Sequence, residues 1–240
     1  MVFPEKTIQS IIESSITNKK VNLEIRGIQK GLFFNFRIDS LVLKGFGGDM
    51  ATLKNIHARI NPLGLAGLNL KLTIDGGVGP GDMNGYVTSS VNNMQAGFVF
   101  KNADISDIPL FKRAGIQGRG SVSGSFFLSG EKWHYEFVTR NSNFEPVYFS
   151  GIKVPLNFFH TIAGSLDVKG NTMDVTSISL EGKDIYARLK GAIKDNMMDL
   201  EMEIMPGKSF LENPFFLAEL EKYKVSPGYY VIPARGNISF

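Results

Sequence analysis

The stretch ARLKGAIKDNMMDLEMEI, residues 187–204, sorts its side chains with period two on either side of Asp195 and Asn196. Both of these residues tolerate positive φ, so they suit a two-residue hairpin turn. With the turn placed there, Ile193 faces Met198, Gly191 faces Leu200, Leu189 faces Met202 and Ala187 faces Ile204. On the other side Lys190 meets Glu201 and Arg188 meets Glu203. One face is apolar and the other carries opposite charges in pairs. A slip of one residue would exchange the two faces, so the pattern specifies the register as well as the strands.

The same reading extends outward. Turns at Gly182-Lys183, Gly170-Asn171 and Gly130-Glu131 put Leu180 opposite Ile185 and Ile178 opposite Ala187, Val168 opposite Met173 and Leu166 opposite Val175, and Leu128 opposite Trp133, Phe126 opposite Tyr135 and Gly124 opposite Phe137. The apolar phase flips between Val175 and Ile178, which calls for a bulge near Ser177. Toward the N-terminus, strands are expected in VNLEIRGI from Val21, in LFFNFRI with Leu32, Phe34, Phe36 and Ile38 on one side, and in LVLKG after a phase shift near Ser40. IHARINP and LNLKLTIDG continue the pattern, the latter with Leu68, Leu70, Leu72 and Ile74 inward. Gly76 to Gly81 form a glycine-rich turn before MNGYVTSS, and MQAGFVFKNADISDIP adds a strand and a loop.

Helices are expected at the two ends. PEKTIQSIIESSITN, within residues 1–20, carries Ile8, Ile11, Ile12 and Ile16 at helical spacing behind Pro4 and Glu5; SFLENPFFLAELEKY makes a second, short helix near 209–223. A final strand follows over 228–240. The fold class is therefore all-β, a single domain spanning 1–240 whose residues 21–208 form a meander. Its long, twisted, antiparallel sheet has one apolar face. Two short helices are too little to cover such a face, so the sheet must curl over itself, stack on another sheet or hold an apolar ligand.

A chain of 240 residues, 43% apolar and 20% charged, can bury a core, which argues against disorder. Its net charge of +3 comes from 26 basic and 23 acidic residues spread along the chain, without the basic block that a nucleic-acid partner requires. With no cysteine there are no disulfides or thiolate metal sites, a composition that suits cytosol and bacterial envelope alike. MVFPEKTIQS lacks the basic and apolar segments of a signal peptide, and no run of about 18 apolar residues occurs, so the chain is expected to be soluble. Met1 standing just before a helix cap reads as a start placed at a domain boundary.

Candidate chemistry thins out on inspection. His57, His134 and His160 lie in separate strands or loops without a companion at triad or metal spacing, and His134 is placed opposite Phe127 on the outer face. GGVGPGDMNG has neither the Lys-Ser/Thr nor the following helix of a phosphate loop, and Pro80 favours a hairpin turn. Asp104 and Asp107, with Asn102, lack the ligand ladder and closing Glu of a calcium loop and read as a solvated loop. Asp195 and Asp199 point outward. Phe33 and Phe127 fall on the nominal outer face, as a contact surface or as packing under a helix. No catalytic, cofactor or metal constellation remains, so the expectation is a non-enzymatic protein without cofactors.

FPEKTIQSIIES at Phe3–Ser14, GRGSVSGSFFLSG at Gly118–Gly130, AGSLDVKGNTMDVTSISLEGKDIYARLKGAI at Ala163–Ile193 and the closing GYYVIPARGNISF carry a resemblance. In these segments, which span most of the chain, it resembles the type II secretion system protein N family, small envelope relatives of AsmA-like proteins. The shared motifs are glycine-punctuated strands such as LEGKDIYARLKG. The resemblance implies a periplasmic accessory component of gram-negative type II secretion and protein transport, with an anchor upstream of Met1 tethering it to the inner membrane. It also implies a sheet folded into an AsmA-like trough or half-pipe. Joined to the pattern of faces, this puts Phe34, Phe36, Leu70, Leu72, Phe126, Leu128, Trp133, Tyr135, Leu189, Leu200 and Met202 along an apolar groove. Such a groove would hold acyl chains at roughly 0.8 kcal/mol per methylene, or be closed by the protein's own helices and serve as a scaffold. The partners expected are other secretion components, lipid acyl chains or both, and no nucleic acid.

Two alternatives stand beside this reading: an AsmA-like lipid-binding or lipid-transfer protein independent of secretion, and a β-sandwich that binds carbohydrate or protein. An outer-membrane barrel, suggested by alternating strands and the terminal Phe240, fits poorly. Lys190, Glu201 and Arg188 would face lipid if the apolar side were the lumen, and helices flank the sheet.

Overall fold

The computed structural model describes residues 21–32, 34–45, 48–62, 69–90, 94–108, 111–112, 116–149, 152–154, 156–195, 197–211, 218 and 220–237. Its first strands are β1 (Val21–Lys30), β2 (Asn35–Gly45), β3 (Gly48–Ile60), β4 (Leu70–Val78), β5 (Gly81–Ser89), β6 (Met94–Asp104), β7 (Gly118–Ser129) and β8 (Lys132–Phe144). A small hairpin of β9 (Val147–Phe149) and β10 (Ile152–Val154) follows. The chain then forms β11 (Phe159–Lys169), β12 (Thr172–Gly182), β13 (Ile185–Lys194), β14 (Met197–Pro206), β15 (Lys224–Ser226) and β16 (Tyr229–Asn237). Fourteen strands make an antiparallel sheet in the order β1-β2-β3-β4-β5-β6-β7-β8-β11-β12-β13-β14-β16-β15. Sequence neighbours are sheet neighbours except at the β9–β10 insertion and at the last two strands, as a meander requires.

Helix is scarce. Among the described residues it comprises α1 (Lys208–Leu211), single helical positions at 218, 220 and 221, the start of a turn at 62, residues 111–112, and two 3-10 turns, Ile105–Asp107 and Leu156–Phe158. The expected helix over 209–223 is thus seen at its two ends, and the expected N-terminal helix within 1–20 lies outside the described residues. The last strand is described to Asn237.

The chain divides into two compact units: Met1–Ala114 with Val122–Trp133 and Phe240, and Gly115–Ser121 with His134–Ser239. In the first unit, β2 buries Phe36 and Ile38, then Leu41, so its inward phase changes at Ser40. The neighbouring β3 makes the same change at Asn55, whose φ is +52: Leu53 and Ile56 are both buried on either side of it. A residue in the left-handed conformation resets a strand's alternation, and asparagine enters that conformation more readily than other side chains. Asn102 in β6 has φ +55, and in the second unit Asn141 in β8, at +51, lies between buried Thr139 and Ser142.

The second unit contains the hairpin on which the sequence reading turned. Lys194 pairs with Met197, Ile193 with Met198, Gly191 with Leu200, Leu189 with Met202, Ala187 with Ile204, Lys190 with Glu201 and Arg188 with Glu203. Asp195 takes φ +49 in the turn. The hairpin at Gly170-Asn171 also has the expected pairs, Val168 with Met173 and Leu166 with Val175, and the register shifts between Val175 and Ile178 where the bulge was expected.

Two strand boundaries differ from expectation. Leu180 pairs with Ala187, not Ile185, because the turn between β12 and β13 is at Lys183 and Asp184 rather than Gly182 and Lys183. Gly182 is a strand residue: a Cβ there would collide with the Phe158 carbonyl and crowd the Ile185 side chain, so close packing, not turn geometry, demands glycine. The shift is an even number of residues, which is why the faces survive it. At the other site, β2 begins at Asn35, and Leu32 and Phe34 belong to the preceding turn instead of the strand.

Candidate functional site

The apolar face of the sheet was the expected site. In the first unit Phe36 from β2 and Leu72 from β4 are buried, Leu70 at the start of β4 is half-buried, and Leu128 and Trp133 are buried at the ends of β7 and β8. Phe126 stacks on Phe98 with ring centroids 4.7 Å apart and lies 6.2 Å from the Trp133 ring at a tilted angle. Offset aromatic contacts of this kind contribute about 0.5–1.5 kcal/mol beyond area burial. Sheet alternation places these rings together, since Phe98, Phe126 and Trp133 occupy inward positions of three successive strands.

In the second unit Leu200 and Met202 of β14 are buried and Leu189 of β13 is half-buried. Leu200 packs with Val175, Met198 and Ala234, and Ile178, Leu189 and Ile193 close against that cluster. Tyr135 is half-buried, and burial pushes its phenol well above the ordinary value, so it stays neutral. Most of the expected lining is therefore already covered by protein, and Leu70, Phe126, Tyr135 and Leu189 keep partial access. Phe34 does not join the face. It is 41% exposed with φ +63, in the β1–β2 turn.

The opposite face of the second unit is charged. Lys190 reaches diagonally to Glu203, Nζ to Oε1 2.6 Å, and more distantly to Glu201 at 3.7 Å, while Arg235 Nε donates to Asp199 Oδ1 at 2.8 Å. Arg188 donates instead to the Ser177 hydroxyl at 3.2 Å. Glu203 is almost fully buried, and the Lys190 ammonium holds its carboxyl below the usual range despite that burial. A shallow, open pocket of about 390 Å³ lies here, lined by Val175, Thr176, Lys190, Gly191, Asp199, Glu201 and Arg235. Its cations are engaged by the neighbouring carboxylates just named.

His134 has the companion that sequence spacing did not reveal. Its Nδ1 is 2.9 Å from Asp167 Oδ1 on β11 and its Nε2 3.3 Å from Glu136 Oε1. The Asp167 bond, aided by Glu136, raises the imidazole pKa against a smaller opposing effect of burial. Asp104 caps the 3-10 turn at Ile105–Asp107, accepting from the Ser106 backbone N–H at 2.8 Å and the Ser106 hydroxyl at 2.7 Å. His160 Nδ1 lies 3.1 Å from the Thr161 hydroxyl, and His57 is an exposed residue of β3 paired with Arg37 and Asp75. Among the described residues no group of three or more His, Asp or Glu side chains is placed to hold a metal ion, and no helix is long and apolar enough to cross a membrane.

No protein-family model, curated protein or solved structure matches this chain.

On the outer face of the first unit, Phe127 is 42% exposed and rests with Tyr86 over Gly97, where a Cβ would press within 2.8–3.0 Å of the two rings. Phe33 lies outside the described residues. The apolar residue that sequence reasoning misplaced most is Leu32, at 77% exposure. Its signal was available in the flanking Gly31 and Asn35, both turn formers, which interrupt an otherwise continuous alternation.

Proposed function

We propose that this chain is a non-enzymatic accessory component of the bacterial type II secretion pathway, tethered to the inner membrane and working in the periplasm as a scaffold, its sheet curved into an AsmA-like half-pipe. One observation favours scaffold over carrier: Phe36, Leu72, Leu128, Trp133, Leu200 and Met202, expected to line a groove, are each no more than 6% exposed. Side chains that the protein itself covers act as a core, and their value is to fix the sheet's faces within each unit. The secretion assignment rests on the resemblance of the quoted segments to the protein N family. Its test is deletion of the gene in the native bacterium with the secreted-enzyme level as readout. Loss of secretion, restored by the intact gene and accompanied by cross-links to other secretion components, is the expected result; undiminished secretion overturns it.

A second reading, lipid carriage, is favoured by the half-buried Leu70, Phe126, Tyr135 and Leu189. Organic extraction of protein purified without detergent decides between the two. Stoichiometric acyl lipid would make the face a carrier's groove, and lipid-free protein leaves it a core.

A further inference from the structure

The β1–β2 turn displays the apolar side chains of Leu32 and Phe34 to solvent. Residues 31–34 read Gly-Leu-Phe-Phe, and Leu32 and Phe34 are exposed at 77% and 41%. Three backbone hydrogen bonds tie the described residues of the turn: Gly31 N–H donates to the Asn35 carbonyl at 2.8 Å, Asn35 N–H to the Leu32 carbonyl at 3.2 Å, and Ile60 N–H to the Phe34 carbonyl at 3.0 Å. The Asn35 amide adds a 2.7 Å bond to the Leu32 carbonyl, and Arg59 Nε grips Asn35 Oδ1 at 3.0 Å. Phe34 is held at φ +63, a conformation in which a bulky side chain is strained. Glycine or asparagine would suit that position without cost, yet a large aromatic occupies it.

Charge around the turn has one sign. Exposed Lys30, Arg37, Arg59 and Lys71 stand beside it on β1, β2, β3 and β4. Register puts them at one end of these strands, since Lys30 pairs with Phe36, Gln29 with Arg37, Asn35 with Arg59 and Ile60 with Leu72. Among the described residues at this end, 29–32, 34–37, 58–62, 69–71, 87–90 and 94–95, none is Asp or Glu. At the opposite end of the same strands lie Asp49, Asp82, Asp104 and Asp107. An apolar tip within a basic collar matches the chemistry of an anionic bilayer surface: the side chains enter the headgroup boundary while the cations meet the lipid phosphates.

We infer that the β1–β2 turn docks the first unit on a membrane rich in anionic lipid, with Leu32 and Phe34 as the inserting residues and Lys30, Arg37, Arg59 and Lys71 as the electrostatic collar. This interaction is independent of the secretion and scaffold readings, because it needs only the purified chain and lipid. Flotation of the purified protein with phosphatidylcholine vesicles, and with vesicles of phosphatidylcholine mixed with phosphatidylglycerol, tests it. The chain should float with the mixed vesicles, fail to float with phosphatidylcholine alone, and be released by salt.

Two variants separate insertion from folding. Leu32→Ser combined with Phe34→Gly should keep the circular dichroism spectrum and a thermal midpoint no lower than that of the parent chain while lowering partition to mixed vesicles about tenfold or more. Lys30→Gln with Lys71→Gln should weaken it about fivefold for each charge removed, and flatten the salt dependence. Unchanged flotation of the folded Leu32/Phe34 variant overturns the proposal, as does wild-type protein that floats equally with both vesicles or with neither.

Discussion

In the β13–β14 hairpin the turn follows the Lys194–Met197 pair with Asp195 at positive φ, and apolar side chains beyond it, Met198, Leu200, Met202 and Ile204, are buried on one face. In the β1–β2 hairpin the described turn residues are Gly31, Leu32 and Phe34, and two side chains with the same inward alternation as Phe36 and Ile38, those of Leu32 and Phe34, stay outside. Both hairpins alternate, so alternation alone does not decide which leucine is core. What differs is the identity of the residues at positive φ: Asp195, small and polar, against Phe34, large and apolar. The first turn suits its conformation; the second presents a cargo of exposed hydrophobic surface that folding does not explain.

The sharpest way to break this comparison is to make one substitution in both hairpins. Leu200→Ala removes a side chain that is 3% exposed and packed against Val175, Met198 and Ala234, and should destabilise by about 2–5 kcal/mol. Leu32→Ala should shift stability by no more than about 0.5 kcal/mol. Urea unfolding at constant m-value reads both. Equal effects would mean that Leu32 is a core residue and that its exposure is misread.

Polar anchors come next. Glu203→Ala deletes the nearly buried partner of Lys190 and should cost about 1–3 kcal/mol, where Arg59→Ala, which removes an exposed bond to Asn35 at the tip, should cost under about 1 kcal/mol. The pH dependence has a definite sign. Because the folded Glu203 carboxyl titrates below its ordinary value of 4.5, its contribution is fully present above that value and is lost as pH falls through the lowered one. The variant should therefore lose part of the acid limb of the thermal-stability profile.

The two hairpins also measure how far the sequence was readable. Wherever a small polar or glycine pair closed a short turn, as at 170–171 and 195–196, side-chain alternation determined register and faces together, because a one-residue slip would have buried Lys190 or Asp174. The β12–β13 turn was misplaced since Gly182 was taken for a turn former when its glycine answers the approach of Phe158, a contact brought about by tertiary packing. Asn55, Asn102 and Asn141 are legible in principle, as asparagines within strands, but the phase changes read from the sequence lie near Ser40 and Ser177 and at none of these three. Of the expected lining, Phe34 failed because Gly31 and Asn35 outrank alternation. The His134–Asp167 pair depends on β8 meeting β11 past the inserted β9–β10 hairpin, and no local pattern encodes that adjacency.

A smaller effect distinguishes the two turns by backbone strain. Phe34→Gly should relieve the left-handed conformation and raise the thermal midpoint by an amount equivalent to about 1 kcal/mol, less whatever packing the ring provides. Asp195→Gly should change little, since aspartate tolerates φ +49 and the substitution also removes the 2.9 Å bond from Asn171. Gains of equal size at both positions would show that the ring at position 34 carries no special strain.

The smallest expected effect concerns a contact that neither turn has. The hydrogen bond to Asp167, and secondarily that to Glu136, raises the folded-state pKa of His134 above the ordinary 6.5. A proton is thus bound more tightly in the folded chain than in the unfolded one. The resulting stabilisation is complete below the ordinary value and disappears as pH rises through the raised one. With the imidazole more than a third exposed, solvent screening confines it to a few tenths of a kcal/mol. His134→Gln should leave the thermal midpoint unchanged at alkaline pH and lower it at mildly acidic pH. A variant whose midpoint fell equally at both pH values would show that the ring acts through packing and not through its proton.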